Sequence, residues 1–168
     1  MALFLVLSLT NPSIVFADVK SDVATAINEA MAFGSMFPPG TKKVSESQHE
    51  KAANHLKEAI KYGTRPDQSE LERIFDKAFV NEWNGFMMAL KYRLNGWQKP
   101  NVAVSARGID GMERFRSYYN KNSAWIIKRI NDTSGGSSWF SWNPSKGELL
   151  PRIGCEKGAV IAWLAGCG

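Results

Sequence analysis

The chain has 168 residues, of which 44% are hydrophobic and 22% are charged, close to the averages for globular domains. This composition excludes collagen-like, coiled-coil and disordered proteins, and also a membrane protein with several spans. The length predicts a single domain that buries a sizeable core without metals or disulfides. Lys and Arg outnumber Asp and Glu by 21 to 16, which gives a net charge of +5.

The positive charge is concentrated in the C-terminal part of the chain. Residues 1–96 carry eleven basic and eleven acidic side chains, whereas residues 97–168 carry ten basic and five acidic ones. A local positive field attracts anionic partners and speeds their encounter with the protein. The alternative is a soluble protein whose surface charge is merely uneven.

The first 17 residues have most features of a signal peptide. An apolar run over 2–9 is followed by Val15 and Ala17, which suit the −3 and −1 positions of a cleavage site. We therefore predict cleavage after Ala17, a periplasmic or secreted location, and a mature domain over 18–168. The run is shorter than the roughly 20 residues of a membrane span, so we expect no transmembrane span after cleavage. Because the first basic residue is Lys20, the leader lacks its usual basic start, and a buried N-terminal segment is the alternative.

After the leader, apolar residues recur at helical spacing. This pattern predicts an all-α fold: a single compact domain of about five helices, with a Trp-rich loop before the C-terminal helix. The predicted helices cover about 19–33, 47–63, 67–95, 110–130 and 156–165. Capping motifs mark three helix starts, at Ser47, Asp67 and Asp110. The third helix keeps one apolar stripe throughout, with a kink at Asn84-Gly85 as an alternative.

The only two cysteines, Cys155 and Cys167, flank the predicted C-terminal helix. In an oxidising compartment two such cysteines usually pair. A helix over the intervening residues would hold their Cα atoms about 18 Å apart, whereas a disulfide needs them within about 7 Å. We therefore predict a short helix with the tail turned back, which makes the pair a candidate disulfide. Reduced or intermolecular cysteines are the alternative.

The sequence offers little support for enzymatic chemistry. The two histidines, His49 and His55, are six residues apart, unlike the four-residue spacing of a zinc-binding pair. Neither a nucleophile elbow nor a phosphate-binding glycine loop is present. We therefore predict no metal and no cofactor.

Glu82 is the one catalytic candidate, and it lies at the edge of an apolar stripe beside Trp83. Packing against aromatic rings favours a protonated carboxyl group, which the general acid of a cell-wall glycan hydrolase needs. The sequence identifies no second carboxylate for this reaction. Amphipathic helices also commonly place Glu at such an edge, so the ordinary structural role is the alternative.

The polar, turn-rich segment 137–144 and the basic side chains around it form the main candidate for binding. The segment contains Trp139, Phe140 and Trp142, and aromatic rings on a loop are typical anchors for partners. The basic candidates are Arg107, Arg114, Arg116, Lys128 and Arg129. Such a broad basic surface suits lipid headgroups or an acidic protein face. The alternative is that the segment folds back and plugs the core with its rings.

These observations predict an exported α-helical binding protein. We expect its basic, aromatic-rich C-terminal surface to meet an anionic envelope component or a partner protein. The absence of a nucleic-acid-binding motif argues against a nucleic acid partner. The first alternative is a small glycan hydrolase that uses Glu82, so that enzymatic activity stays open. The second is a membrane-active secreted protein acting through the C-terminal helix, which is too short to span a bilayer.

Overall fold

Five α-helices follow one another along the described part of the chain, which in this computed structural model comprises residues 12–36, 44–98, 106–133, 141–144 and 149. The helices are α1 (Pro12–Ser35), α2 (Glu46–Gly63), α3 (Gln68–Ile74), α4 (Lys77–Gln98) and α5 (Ala106–Asn131). The described ranges contain no strand. All five helices contribute to one buried apolar core, which confirms the predicted single all-α domain.

The helices form two closely packed pairs. α1 packs against α2, α4 packs against α5, and a contact between α2 and α4 joins the pairs. Polar contacts add to the first pair, since His55 Nδ1 lies 2.7 Å from Glu29 Oε2. Lys20 in α1 donates to the backbone carbonyl of Asp132, just after α5. The core therefore connects the N-terminal helix to the end of α5.

The single helix predicted over 67–95 is two helices in the structure. α3 ends at Ile74, and Phe75 has extended backbone angles. The side chain of Asp76 then accepts a hydrogen bond of 2.7 Å from the backbone N–H of Phe79, which starts α4 as an N-cap does. The rings of Phe75 and Phe79 stack at 4.1 Å across the break. Because the apolar stripe continues through the break, periodicity alone does not reveal it.

Three predicted helix starts also move. α1 begins at Pro12 rather than at about 19. α2 begins after Ser45, which forms a capping box with Gln48, rather than after Ser47. α5 begins at Ala106 rather than at Asp110. The predicted capping box of Asp67 and Glu70 is confirmed at the start of α3.

Several predictions on the two ends of the chain stay untested. The backbone of α1 begins at Pro12, so it includes the residues around the predicted cleavage position after Ala17. The predicted C-terminal helix over 156–165 and both cysteines lie outside the described residues.

Arg93 in α4 is a charged side chain in the core, with only 5% of its surface exposed. Its guanidinium lies over the ring of Phe33 in α1, 5.4 Å from the ring centroid. No carboxylate of the described residues forms an ion pair with it, and its Nε has no hydrogen-bond partner. Burial lowers the pKa of Arg93 to about 10. A buried cation without a counter-charge destabilises the folded state.

Replacing Arg93 with methionine is therefore expected to stabilise the protein. Methionine fills a similar volume without a charge, so the free energy of unfolding should rise by roughly 1–4 kcal/mol. Urea denaturation followed by circular dichroism measures the change. Arg93→Ala is the control, because it also removes the packing of the aliphatic stem and should give a smaller gain or a loss. A Met variant that is less stable than the wild type would contradict the prediction.

Candidate binding surface

The inner face of α5 is set by aromatic packing against α4. The rings of Phe115 and Phe86 stack with their centroids 4.2 Å apart. The ring of Tyr118 lies 6.3 Å from that of Phe79, which precedes Phe86 by about two turns of α4. Residue numbers rise along α5 as they fall along α4, so the two helices are antiparallel. The fully or nearly fully buried side chains of α5 are Phe115, Tyr119, Ile126 and Ile130. This buried stripe fixes which side chains of α5 face solvent.

The backbones of α4 and α5 come close together at Gly111. A Cβ atom added there would lie 2.8 Å from the carbonyl oxygen of Gly85 and 3.1 Å from the Cβ of Ala89. Only glycine fits this approach without a shift of one helix. Gly111 therefore sets how closely α5 sits on α4.

The outer face of α5 carries a line of basic side chains. Its exposed residues among those described are Arg114, Ser117, Asn120, Lys121, Ala124, Lys128 and Arg129. Arg114, Lys121 and Lys128 are seven residues apart, a spacing that keeps them on one side of the helix at steps of about 10 Å. We call these three side chains the cationic row. Arg107 stands seven residues before Arg114, but its side chain lies outside the described part.

The members of the cationic row differ in their partners. Lys121 and Lys128 form no ion pair with any described residue. Arg114 is 69% exposed and donates to Glu82 at 2.6 Å. Two lysines of the row are thus available to an external anion.

The other predicted basic residues lie beside the row. Arg129 is exposed, and its guanidinium lies over the ring of Trp125 at 5.8 Å from the centroid. Arg116 is only 18% exposed and lies 3.4 Å from Glu113. Arg114, Lys128 and Arg129 therefore share one outer surface, whereas Arg116 is turned towards a neighbouring carboxylate. Lys121 belongs to the same basic surface, and its seven-residue spacing from Arg114 and Lys128 is the sequence signal for its place in the row.

Glu82 lies in an open pocket of about 410 Å³ between α4 and α5. The pocket is lined by Glu82, Glu113, Arg114, Ser117 and Tyr118. Burial, with the nearby Asp76 carboxylate adding to it, raises the pKa of Tyr118 to about 12. The Tyr118 hydroxyl lies 3.4 Å from Asp76 Oδ1. The pocket thus contains two carboxylates and a tyrosine that stays protonated at neutral pH.

Glu82 forms a charged contact at the edge of this pocket. Its carboxylate accepts a hydrogen bond of 2.6 Å from the Arg114 guanidinium. The Trp83 ring is turned into the core, where its Nε1 donates to the carbonyl of Gly63 at 3.0 Å. Glu82 therefore shares its pocket with the cation Arg114 and with Tyr118, whereas the Trp83 ring is not part of the pocket wall. The catalytic role of Glu82 stays a prediction.

Trp142 is buried in the core, with 4% of its surface exposed, contrary to the expectation that it presents its ring to a partner. The side chain of Asn131, at the end of α5, forms two hydrogen bonds with the backbone of Trp142. Trp142 N–H donates to Asn131 Oδ1 at 2.6 Å, and Asn131 Nδ2 donates to the Trp142 carbonyl at 2.8 Å. For this residue the alternative applies, in which the segment folds back onto the core. Trp139 and Phe140 lie outside the described residues.

Among the residues described, no three His, Cys, Asp or Glu side chains are grouped so that they could hold a metal ion. None of the helices described is long and apolar enough to cross a membrane. Compared with known proteins, the chain matches no protein-family model, and no curated protein or solved structure is similar to it. A function for this chain is therefore inferred from its own geometry and charge.

Proposed function

We propose that the chain is an exported binding protein that presents the outer face of α5 to an anionic envelope component or partner protein. The cationic row is the observation that carries this proposal. It places three basic side chains on one line, and two of them have no ion pair among the described residues. Export is inferred from the predicted leader over 1–17. In the same proposal, Trp139, Phe140 and Arg107 extend the surface beyond the described side chains.

The difference in charge between α2 and α5 indicates that the positive charge is concentrated on one surface rather than spread over the whole protein. α2 carries three basic and three acidic side chains, whereas α5 carries six basic and two acidic ones. Within α2, Lys61 also pairs with Glu58 at 2.9 Å. Positive potential therefore builds up along α5, and the long-range attraction of an anion is stronger there than along α2.

Retention on immobilised heparin, a soluble polyanion fixed to a column, tests the proposal. Replacing Lys121 and Lys128 with alanine is expected to weaken binding about fivefold to tenfold at low salt, because each exposed contact contributes up to about 1 kcal/mol. The measurement is the NaCl concentration that elutes each variant of the full chain.

The matched control replaces Lys51 and Lys57, two exposed lysines of α2, with alanine. Both double variants have the same net charge, so a difference between them reports position rather than total charge. We expect the α2 variant to elute close to the wild type and the α5 variant to elute earlier. Elution of the two variants at the same salt concentration would overturn the proposal.

A further inference from the structure

We infer that the cationic row binds the surface of an anionic lipid bilayer, with α5 lying parallel to the membrane plane. This inference rests on the proposed function and names the class of its partner. It follows from the shape of the row, from the side chains on its two flanks, and from the charge of the neighbouring pocket.

The straightness of the row suits a flat partner. A convex helix touches a plane along a single line parallel to its axis, so only side chains on that line reach the plane together. A seven-residue repeat drifts by about 20° per step, which keeps Arg114, Lys121 and Lys128 close to such a line. The line from the first to the last extends about 21 Å along the helix. Lys121 and Lys128, which form no ion pair with a described residue, can thus reach the same layer of headgroups without any change of fold.

One flank of the row leaves the approach open. Ser117 and Ala124 lie on this flank at helical spacing, and both are short and exposed. Neither residue has a side chain large enough to keep the lysines away from a flat surface. The long aliphatic stems of Lys121 and Lys128 can therefore extend to the headgroups.

Aromatic side chains form the opposite flank. Tyr118 and Trp125 are partly exposed there, and Arg129 covers one side of the Trp125 ring. Tyr and Trp combine an apolar ring with a polar group, and they favour the level of the headgroups for this reason. The apolar stripe of α5 is buried against α4, so residues 111–131 of the helix have no free apolar face to insert. We therefore expect α5 to rest on the headgroups rather than enter the acyl layer.

The neighbouring pocket disfavours an acidic protein segment as the partner. Protein partners usually place side chains in concave sites at the centre of an interface. The concave site described beside the row is the pocket that Arg114 and Glu82 line. Its walls hold the carboxylates of Glu82 and Glu113 beside the one cation Arg114, so the pocket has no excess of positive charge to attract an acidic chain. A lipid surface makes no use of this concave site. The flat anionic surface is thus the partner that the geometry favours.

The binding should be electrostatic and reversible. A Lys or Arg side chain near an anionic membrane contributes about 1 kcal/mol. Screening shortens the range of this attraction from about 10 Å at 0.1 M salt to about 3 Å at 1 M. Association should therefore be measurable at 0.1 M NaCl and lost at 1 M.

Co-sedimentation of the full chain with vesicles tests the inference. The vesicles contain either equal parts of phosphatidylglycerol and phosphatidylcholine or phosphatidylcholine alone. We expect binding to the anionic vesicles only. Charge reversal by Lys121→Glu and Lys128→Glu should weaken it at least tenfold, since each reversal removes one attraction and adds one repulsion. Reversal of Lys51 and Lys57 in α2 changes the net charge equally and should weaken it far less.

The heparin column separates the failure of this inference from the failure of the proposed function. If heparin retention depends on Lys121 and Lys128 but the anionic vesicles do not bind, the lipid inference is overturned and the proposed function stands. If the α5 and α2 reversals weaken vesicle binding equally, the row has no special role and the inference is likewise overturned. If heparin retention is also equal for both variants, the proposed function falls as well.

Discussion

Replacing Phe115 with alanine is expected to lower the free energy of unfolding by about 3–5 kcal/mol. The Phe115 ring is fully buried and joins α5 to α4. It stacks on Phe86 and meets Trp83 edge-on at 5.5 Å, and it lies 6.2 Å from Phe79. Its removal leaves a cavity that these rings fill only in part. Since small domains are stable by only about 5–15 kcal/mol, a large share of the folded state's stability would be lost.

Tyr92→Ala is the matched control for the loss of an aromatic ring from a helix. Tyr92 belongs to α4 but is 38% exposed and is not a member of the buried core. Its removal should change the free energy of unfolding by about 0.5 kcal/mol or less. Urea denaturation followed by far-ultraviolet circular dichroism measures both variants. Equal losses for Phe115→Ala and Tyr92→Ala would show that the aromatic contact between α4 and α5 does not hold the fold together.

The apolar stripes were sufficient to predict the helices, since each stripe must be buried against another. They failed at the break between α3 and α4 because Phe75 and Phe79 pack in the same core on either side of it. The signal that marks the break is Asp76, whose side chain caps the following helix.

Local capping chemistry was ambiguous at the start of α2. Ser45 is followed three residues later by Gln48, and Ser47 is followed three residues later by Glu50, so both pairs fit a capping box. The structure uses the first pair. Two candidate caps only two residues apart differ too little in local energy for sequence to separate them.

The candidate surface was predictable in its charge but not in its aromatic part. The seven-residue spacing of Arg114, Lys121 and Lys128 is visible in the sequence, and it becomes a surface once the opposite stripe of α5 is known to be buried. The burial of Trp142 depends on its two hydrogen bonds with Asn131, eleven residues away. No local pattern indicates such a contact, because it arises only when the segment after α5 folds back.

Two glycines of the α4–α5 contact are expected to respond in opposite directions to the same substitution. Gly111→Ala should lower the free energy of unfolding by about 1–3 kcal/mol, because the new methyl group would lie 2.8 Å from the Gly85 carbonyl oxygen. Neither that backbone atom nor the Ala89 Cβ can move aside as a flexible side chain does, so the helices must separate. Gly85→Ala should instead raise stability by up to about 1 kcal/mol. Its Cβ would meet no atom within 4 Å, and alanine is the better helix former.

Comparing Gly111→Ala with Gly85→Ala separates the effect of tertiary packing on stability from that of helix propensity. If propensity alone mattered, both substitutions would stabilise the protein, since both glycines lie inside helices. Thermal and urea unfolding of the two variants beside the wild type measure the sign of each change. A stabilising Gly111→Ala would mean that α5 does not approach α4 as closely as described. A separation of α4 and α5 would also alter the contact between Arg114 and Glu82, because Arg114 lies less than one turn from Gly111. Gly111 therefore helps to position the first cation of the row.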